Sequence, residues 1–219
     1  MFNDPIAVQF FDYFQREYKF NSIVETGTYY GNGTLNLSKY RDYVATIEID
    51  KETRDKALKN FKDNGYTISS PKEPFDLVIC SNGQKIIYSL LGNSPEVLNV
   101  ILSRKTIGGP FLFYLDAHWQ EYFPLLDELK SIAKNKLSDS SIIIHDFKVP
   151  TKDFGYDRYS STYKPIELSF DYIKHDLAQI NKNYIIFCNE EAEGNKRGIL
   201  YVVPPDDKPS PRWKRVNNG

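Results

Sequence analysis

The sequence has few cysteines, no long apolar run and almost no net charge. Cys80 and Cys188 are its only cysteines and form no Cys-x-x-Cys pattern, which argues against a disulfide framework and a zinc cluster. No stretch approaches the roughly 20 apolar residues of a membrane span. Lys+Arg 28 against Asp+Glu 29 gives a net charge of -1, so no overall attraction to nucleic acid is expected. We therefore expect a cytoplasmic protein that binds neither nucleic acid nor membrane.

The order of its elements predicts one α/β domain. Strands alternate with helices, which predicts a doubly wound parallel sheet with helices on both faces. Two final strands joined by a polar turn predict an antiparallel C-terminal hairpin. We expect a single domain over 1–203, an insertion at 67–85, a substrate loop at 147–165 and a mobile tail at 204–219. The predicted strands are 22–25, 43–50, 75–80, 86–91, 111–115, 141–144, 184–188 and 198–203, and the predicted helices are 5–18, 35–40, 51–62, 95–103, one beginning at Pro124, and 166–180.

A glycine-rich turn follows the first predicted strand. Gly27, Gly31 and Gly33 are spaced Gly-x-x-x-Gly-x-Gly, and Glu25 lies two residues before the first glycine. Glycine permits a sharp turn and a close approach of a ligand, and the following helix starts with free N–H groups. The spacing differs from the Gly-x-Gly-x-x-Gly of dinucleotide folds. A carboxylate here would repel phosphate but suits a cation, such as the amino group of a methionine-derived cofactor. The alternative is an ordinary turn between strand and helix.

An acidic residue ends the second predicted strand, about twenty residues after the glycine turn. One carboxylate at this place can accept hydrogen bonds from two ribose hydroxyls. Glu48 and Asp50 are both candidates, but Asp50 also precedes a helix and is better explained as its N-cap.

Further polar residues lie where other predicted strands end. They are Ser94, Asp116 with His118, and His145 with Asp146, and the carboxyl ends of parallel strands meet at one edge of a sheet. Asp116, His118 and Asp146 could bind a divalent cation, which would lower the pKa of a bound substrate hydroxyl. Alternatively, His118 or His145 acts as a general base without metal, or these residues only cap helices.

These residues resemble the class I S-adenosylmethionine-dependent methyltransferases, and among them the small-molecule O-methyltransferases related to catechol O-methyltransferase. Residues 25–31, Glu-Thr-Gly-Thr-Tyr-Tyr-Gly, are similar to the family's first motif, and residues 46–49 are similar to its ribose-binding motif. Leu115-Asp116 with His118-Trp119 resembles its metal motif, and His145-Asp146 lies where its second metal aspartate belongs. The resemblance covers residues 5–150.

The resemblance implies a Rossmann-like methyltransferase sheet, S-adenosylmethionine as cofactor, and a divalent cation such as Mg²⁺. Glu25 and the glycine turn would hold the methionine part, Glu48 the ribose, and Asn93 with Ser94 the adenine edge. The implied cofactor contacts are Glu25, Gly27, Thr28, Tyr29, Gly31, Gly33, Glu48, Ile49, Asn93, Ser94 and Asp116. The implied metal ligands are Asp116, His118 and Asp146, and the implied catalytic residues are His118, His145 and Asp146.

Three positions depart from the family pattern. Ala117 is an extra residue within the metal motif, Gln120 stands where the catalytic lysine is expected, and Phe147 stands where a metal-binding asparagine is expected. Cofactor binding is therefore better supported than a catechol-type mechanism, and the general base stays open.

The function expected from the sequence is methyl transfer to a hydroxyl of a small molecule. The Asp-x-His-Trp variant is similar to macrocin O-methyltransferase-type enzymes, which suggests a sugar or another natural product as acceptor. We expect segment 119–123 and loop 148–163 to contact the acceptor, with Phe154, Tyr156 and Tyr159 forming a lid. The main alternative is a non-catalytic binding or interaction protein that keeps the cofactor fold. A nucleotide-sugar or dinucleotide enzyme is disfavoured by the position of Glu25.

Overall fold

The computed structural model describes residues 1–70, 76–104, 108–118, 122–159 and 166–205. The helices are α1 (Pro5–Glu17), α2 (Asn32–Leu37), α3 (Lys51–Asp63), α4 (Ser94–Ser103), α5 (Leu125–Lys134) and α6 (Phe170–Ile180). The strands are β1 (Ser22–Thr26), β2 (Tyr43–Glu48), β3 (Thr67–Ser69), β4 (Leu77–Asn82), β5 (Lys85–Leu91), β6 (Phe111–Leu115), β7 (Ser141–His145), β8 (Arg158–Tyr159), β9 (Ile166–Glu167), β10 (Ile185–Cys188) and β11 (Ile199–Val203).

One nine-stranded sheet forms the centre of the molecule, in the order β10-β11-β7-β6-β1-β2-β5-β4-β3. Its five middle strands, from β7 to β5, are parallel. At one end β11 runs antiparallel to β7 and pairs with β10 as a hairpin. At the other end β4 is antiparallel to β5, and β3 to β4. The predicted α/β fold with a parallel sheet and an antiparallel C-terminal hairpin is confirmed.

The sheet is covered on both faces because its strands are apolar on both sides. Ile23 and Val24 are adjacent in β1 and fully buried, yet they belong to different hydrophobic clusters, since successive side chains of a strand point to opposite faces. The cluster that contains Ile23 also includes Phe14 of α1 and Phe61 of α3. The cluster that contains Val24 includes one leucine from each of α4, α5 and α6: Leu98, Leu129 and Leu177. This is the double winding that the alternation of elements predicted. No described helix has the length and apolar character needed to span a membrane.

Several predicted bounds were wrong by a few residues. The helix predicted over 166–180 begins at Phe170, because Ile166–Glu167 pair with Arg158–Tyr159 as a short antiparallel ribbon. The helix predicted over 35–40 begins at Asn32, directly after Gly31. The strand predicted over 75–80 is Leu77–Asn82 and leads into the turn before β5.

The second strand ends earlier than predicted, and this decides between its two acidic residues. β2 ends at Glu48. Asp50 is the N-cap of α3, where its Oδ1 accepts a hydrogen bond from the Thr53 N–H at 2.8 Å. Asp50 is therefore the helix cap, and Glu48 is left as the ribose candidate.

Some predictions fall on residues outside the described ranges. These are Trp119 and Gln120, residues 71–75 of the proposed insertion, residues 160–165 of the proposed substrate loop, and residues 206–219 of the tail. The domain boundaries, the insertion and the mobility of the tail stay predictions.

The chain reverses its direction of winding between β1 and β6. From β1 it adds β2 and β5 on one side, then crosses to β6 and β7 on the other side of β1. The two halves meet closely, since the Asp116 N–H donates to the Thr26 carbonyl at 3.2 Å. Open α/β sheets bind their ligands outside the carboxyl ends of the strands at such a point.

Candidate functional site

A cavity of about 570 Å³ opens at the carboxyl ends of the parallel strands. It is bordered by the segments that follow β1, β2, β5, β6 and β7. The predicted site residues that line it are Gly27, Tyr29, Glu48, Ile49, Asn93, Ser94, Asp116, His118, His145 and Asp146. The four others, Glu25, Thr28, Gly31 and Gly33, are absent from its lining. The structure therefore brings most of the predicted residues together around one space.

The glycine turn is shaped by close backbone contacts. Gly27 has a φ of +84°, and a Cβ there would lie 2.7 Å from the carbonyl oxygen of Asp116. A Cβ on Gly33 would lie 2.7 Å from Glu25 Oε1. Any larger residue at these positions would push the turn away from β6 or from the carboxylate beneath it. Glycine is required here by the approach of neighbouring atoms.

Glu25 supports the turn from below. Its side chain is buried, and Oε2 accepts hydrogen bonds from the hydroxyls of Thr34 and, at 2.7 Å, Thr46. Burial raises the pKa of Glu25 to about 8, although the hydroxyls of Thr34 and Thr46 oppose the rise. Thr28 joins the same network through a 2.6 Å contact with Thr46. This carboxylate ties β1, β2 and α2 together, and its predicted contact with a cofactor amino group stays a prediction.

The Glu48 carboxylate is fixed at the wall of the cavity by backbone donors. Oε2 accepts from the Tyr29 N–H at 2.8 Å, and Oε1 accepts from the N–H groups of Ile49 at 3.0 Å and Asp50 at 3.1 Å. Three such bonds orient the carboxylate without a counter-charge. Its remaining lone pairs are available to the hydroxyls of a ligand.

The opposite wall begins at the first turn of α4. Asn93 is the residue before the helix, Ser94 is its first residue, and Pro95 follows. The Ser94 hydroxyl donates a hydrogen bond to Oε1 of Glu128 on α5. Burial raises the pKa of Glu128 to about 7, while the hydroxyls of Ser94 and Thr26 oppose the rise.

The sequence analysis did not single out Glu128. A signal for it was available, because the residue lies between Leu125 and Leu129 on the apolar face of α5, where a charged residue needs a buried partner. Its side chain is 1% exposed.

Three side chains of the types that can bind a metal ion lie together at the ends of β6 and β7. Asp116, His145 and Asp146 can each offer one ligand atom, and these three atoms lie within 4.8 Å of one another. His145 Nδ1 is 2.9 Å from Asp146 Oδ1 and 3.3 Å from Asp116 Oδ1. His145 thus stands with the two aspartates where the sequence analysis placed His118, which is exposed in the loop beyond Ala117. Two carboxylates and an imidazole are a donor set that suits a divalent cation.

The charge on His145 depends on those aspartates. Burial lowers the pKa of His145, but the nearby Asp116 and Asp146 raise it more, to about 9. Its Nε2 is 2.7 Å from the backbone nitrogen of Met1. The two aspartates therefore favour the protonated imidazole, which makes His145 a poor proton acceptor while no cation is bound.

Arg197, from the segment before β11, completes this side of the site. Its Nε donates to Asp146 Oδ1, and its Nη2 donates to Asp157 Oδ1 at 2.6 Å. Burial would raise the pKa of Asp146, but the hydrogen bonds from His145 and Arg197 hold it well below its usual range. No sequence pattern indicated Arg197, because it lies 51 residues from Asp146 and follows no recognisable motif.

The residues predicted to form a lid have different surroundings. Tyr159 stacks on Phe123 with ring centroids 4.8 Å apart. Tyr156 donates its hydroxyl hydrogen to Glu167 at 2.8 Å, and Phe154 packs against the hydrophobic core. None of the three lines the cavity, whereas Tyr122 does and is 39% exposed. The lid stays a prediction.

Several solved structures with a similar fold are methyltransferases. No family model matches the chain, and no curated protein matches it in sequence. A Staphylococcus aureus protein provisionally described as a caffeoyl-CoA O-methyltransferase has a TM-score of 0.55 and 12% identity, over 92% of this chain and 84% of that one. The O-methyltransferase TomG of Streptomyces achromogenes, involved in tomaymycin synthesis and solved with S-adenosylmethionine, has a TM-score of 0.51 and 13% identity, over 85% and 74% of the two chains. An rRNA methylase from Streptococcus thermophilus has a TM-score of 0.52 and 12% identity, over 92% and 97%. The chain thus has the class I methyltransferase fold.

Proposed function

We propose that the protein is an S-adenosylmethionine-dependent O-methyltransferase that methylates a hydroxyl of a small molecule, such as a sugar or another natural product, with help from a divalent cation. The observation that carries this proposal is the Glu48 carboxylate, which three backbone N–H groups hold at the wall of a cavity beside a glycine turn. The cavity lies at the switch point of a sheet whose structural neighbours are methyltransferases.

The cofactor fits the half of the cavity formed by β1, β2 and β5. The methionine part would lie beside Gly27, which lines the cavity and whose lack of a side chain lets the turn approach the backbone of Asp116. Glu48 accepts the ribose hydroxyls, and Ser94 meets the adenine edge across the cavity.

The acceptor fits the half formed by β6 and β7. A divalent cation held by Asp116, His145 and Asp146 would supply Lewis-acid assistance by lowering the pKa of the acceptor hydroxyl. Asp116 lies between the two halves, since its N–H donates to the carbonyl of Thr26 at the end of β1 while its carboxylate lies near His145. Its position supports in-line displacement, in which orientation of the two reactants alone can remove several kcal/mol from the barrier.

His118 and His145 are the candidates for the proton acceptor. His118 lines the cavity and is exposed, so it can reach a hydroxyl without breaking an existing ion pair. His145 is enclosed by Asp116 and Asp146. We therefore assign the role of base to His118 when no cation is bound.

The test is formation of S-adenosylhomocysteine from S-adenosylmethionine across a panel of sugars, phenols and hydroxylated natural products, with Mg²⁺ and with excess chelator. Turnover that Mg²⁺ stimulates supports the whole proposal. Full turnover in chelator would remove the cation from it, and a loss of that turnover in His118→Ala would support His118 as the base. Glu52→Ala is the control variant, since Glu52 is exposed on α3 and does not line the cavity.

A non-catalytic cofactor-binding protein is the second candidate. It is favoured by the pairing of Asp146 with both His145 and Arg197, and by Phe147, which is buried where the family pattern has a metal ligand. Binding of S-adenosylmethionine with no methylated product from any acceptor would favour this candidate.

A further inference from the structure

The hydrogen bond between Ser94 and Glu128 has a direction that bears on cofactor choice. A serine hydroxyl has one hydrogen to donate and two lone pairs to accept with. In this structure Ser94 Oγ is the donor and Glu128 Oε1 the acceptor. A neutral carboxyl group could donate in the opposite direction, so this polarity belongs to the ionised carboxylate of Glu128, which can only accept.

The Ser94 hydroxyl oxygen therefore offers only lone pairs to the cavity. Ser94 is also the first residue of α4, so its backbone N–H has no acceptor within the helix. Pro95 supplies no N–H at all. The start of α4 thus presents one acceptor, the Ser94 Oγ, next to one donor, the Ser94 N–H.

This acceptor and this donor match the polar edge of adenine. The edge of adenine has an amino group that donates and a ring nitrogen, N1, that accepts. Hypoxanthine reverses both, with an oxo group that accepts and an N1–H that donates. A site that holds buried polar groups in one fixed polarity rejects the reversed ligand, because both ends of the contact are left unpaired.

We propose that Glu128 is a positioning residue that fixes the polarity of Ser94 and thereby makes the cofactor site select adenine over hypoxanthine. This rests on the proposed function, because it takes the ligand at Ser94 to be the nucleoside of S-adenosylmethionine. Glu128 is buried on α5 and touches the ligand only through Ser94.

The same helix pair offers a matched control. Ser131, one turn further along α5, has its hydroxyl within hydrogen-bond distance of two carbonyl oxygens, those of Asp127 at 2.8 Å and Pro95 at 3.1 Å, and it accepts from the Asn99 amide at 3.0 Å. It holds the same end of α4 against α5 but does not bond the Ser94 hydroxyl. Its loss loosens the helix pair without changing the polarity of Ser94.

The experiment compares the affinities of the purified full chain for S-adenosylhomocysteine and for S-inosylhomocysteine, its deaminated analogue, by calorimetry. We expect the wild type to prefer the adenine compound by about tenfold or more, the range that unpaired buried polar groups produce. Glu128→Met removes the acceptor and should reduce this preference by about threefold or more, as should Ser94→Ala. Glu128→Gln keeps an acceptor oxygen and should restore most of it. Ser131→Ala should leave the ratio at its wild-type value.

The ratio of the two affinities separates a positioning role from a structural one. Loss of a merely structural contact would weaken both ligands equally. Equal affinities of the wild type for the two compounds would overturn the proposal. So would an affinity ratio that stays at the wild-type value in both Glu128→Met and Ser94→Ala. If Glu128→Met does not fold, an unchanged ratio in Ser94→Ala is enough to overturn it. A wild type that binds neither compound would instead contradict the proposed function.

Discussion

The cofactor half and the acceptor half of the cavity are built in different ways. In the cofactor half, the charged group that faces the cavity, Glu48, is held by backbone N–H groups from residues close to it in sequence or from the glycine turn. In the acceptor half, side-chain ion pairs hold the charged groups together: His145 pairs with its neighbour Asp146, and two further pairs, Asp116–His145 and Asp146–Arg197, join distant segments of the chain. The first half is preformed by the backbone fold, whereas the second can rearrange when a charge enters or leaves.

The largest effect is expected in the cofactor half, at Gly27. A Gly27→Ala variant places a Cβ at a φ of +84° and 2.7 Å from the Asp116 carbonyl oxygen, so the turn must shift. We expect calorimetry to show affinity for S-adenosylhomocysteine lowered by about a hundredfold or more, with a loss of about 2–4 kcal/mol in unfolding free energy. Gly65→Ala is the matched control, because Gly65 has a φ of +86° with no atom within 4 Å of the new Cβ. It should destabilise the fold by about 1 kcal/mol and leave binding unchanged; equal loss of affinity in both variants would contradict the steric argument.

The next effect in size concerns the Glu48 carboxylate. Glu48→Gln keeps one acceptor oxygen but replaces the other with an NH2 group, which donates and cannot accept, so one charge-assisted contact to the ribose is lost. We expect a tenfold to hundredfold weaker affinity for S-adenosylhomocysteine, equivalent to about 1.5–3 kcal/mol. The control is Glu52→Gln on the exposed side of α3. Unchanged affinity in Glu48→Gln would mean that the ribose lies elsewhere.

The buried carboxyl groups of the cofactor half predict a fall in stability as pH rises. The folded-state pKa values of Glu25 and Glu128 are raised to about 8 and about 7, above the ordinary value of 4.5. Between these values the folded chain binds more protons than the unfolded chain, so the free energy of unfolding decreases with pH from about 5 to about 8. The pKa of His145 is raised from its ordinary value of 6.5 to about 9. The free energy of unfolding therefore decreases further as the pH rises between these two values.

Chemical denaturation at about pH 5.5 and pH 8.5 measures this loss. We expect about 2 kcal/mol or more between the two values in the wild type, and a smaller difference in Glu25→Gln, which cannot ionise. An identical difference in both proteins would show that Glu25 is not the group that titrates.

The smallest effect is expected in the acceptor half, at Arg197. Arg197→Met releases Asp146 and removes a positive charge beside the proposed cation site. We expect Mg²⁺ to bind about threefold to tenfold more tightly, because a neighbouring cation no longer competes for the carboxylate. Titration with Mg²⁺ measures the change. Arg158→Met is the control, since Arg158 pairs with Glu167 and is 64% exposed; no gain of Arg197→Met over this control would argue against competition.

The cofactor half could be predicted from the sequence better than the acceptor half, because it is built from residues that are close together in the chain. The glycine turn and Glu48 follow directly from short motifs, because every atom that shapes them comes from a strand end or the turn after it. The position of the site at the carboxyl ends of the strands could be predicted too, since it follows from alternating strands and helices. The capping role of Asp50 was weighed against a ribose contact and is settled by its bond to Thr53.

Such local patterns could not predict contacts between residues that are far apart in the sequence. Arg197 meets Asp146 only because the antiparallel β11 returns beside β7, and no local spacing records that contact. His145, and not His118, lies beside Asp116 and Asp146, because β7 brings it next to the end of β6 while His118 is exposed in the loop after β6. Glu128 was missed although its place on an apolar helix face indicated a buried partner.

The most direct test of this account is calorimetric titration of the wild-type chain with S-adenosylhomocysteine. We expect binding in the micromolar range that is lost in Gly27→Ala and weakened in Glu48→Gln. No binding at millimolar concentration, with and without Mg²⁺, would contradict the assignment of the cavity as a cofactor site.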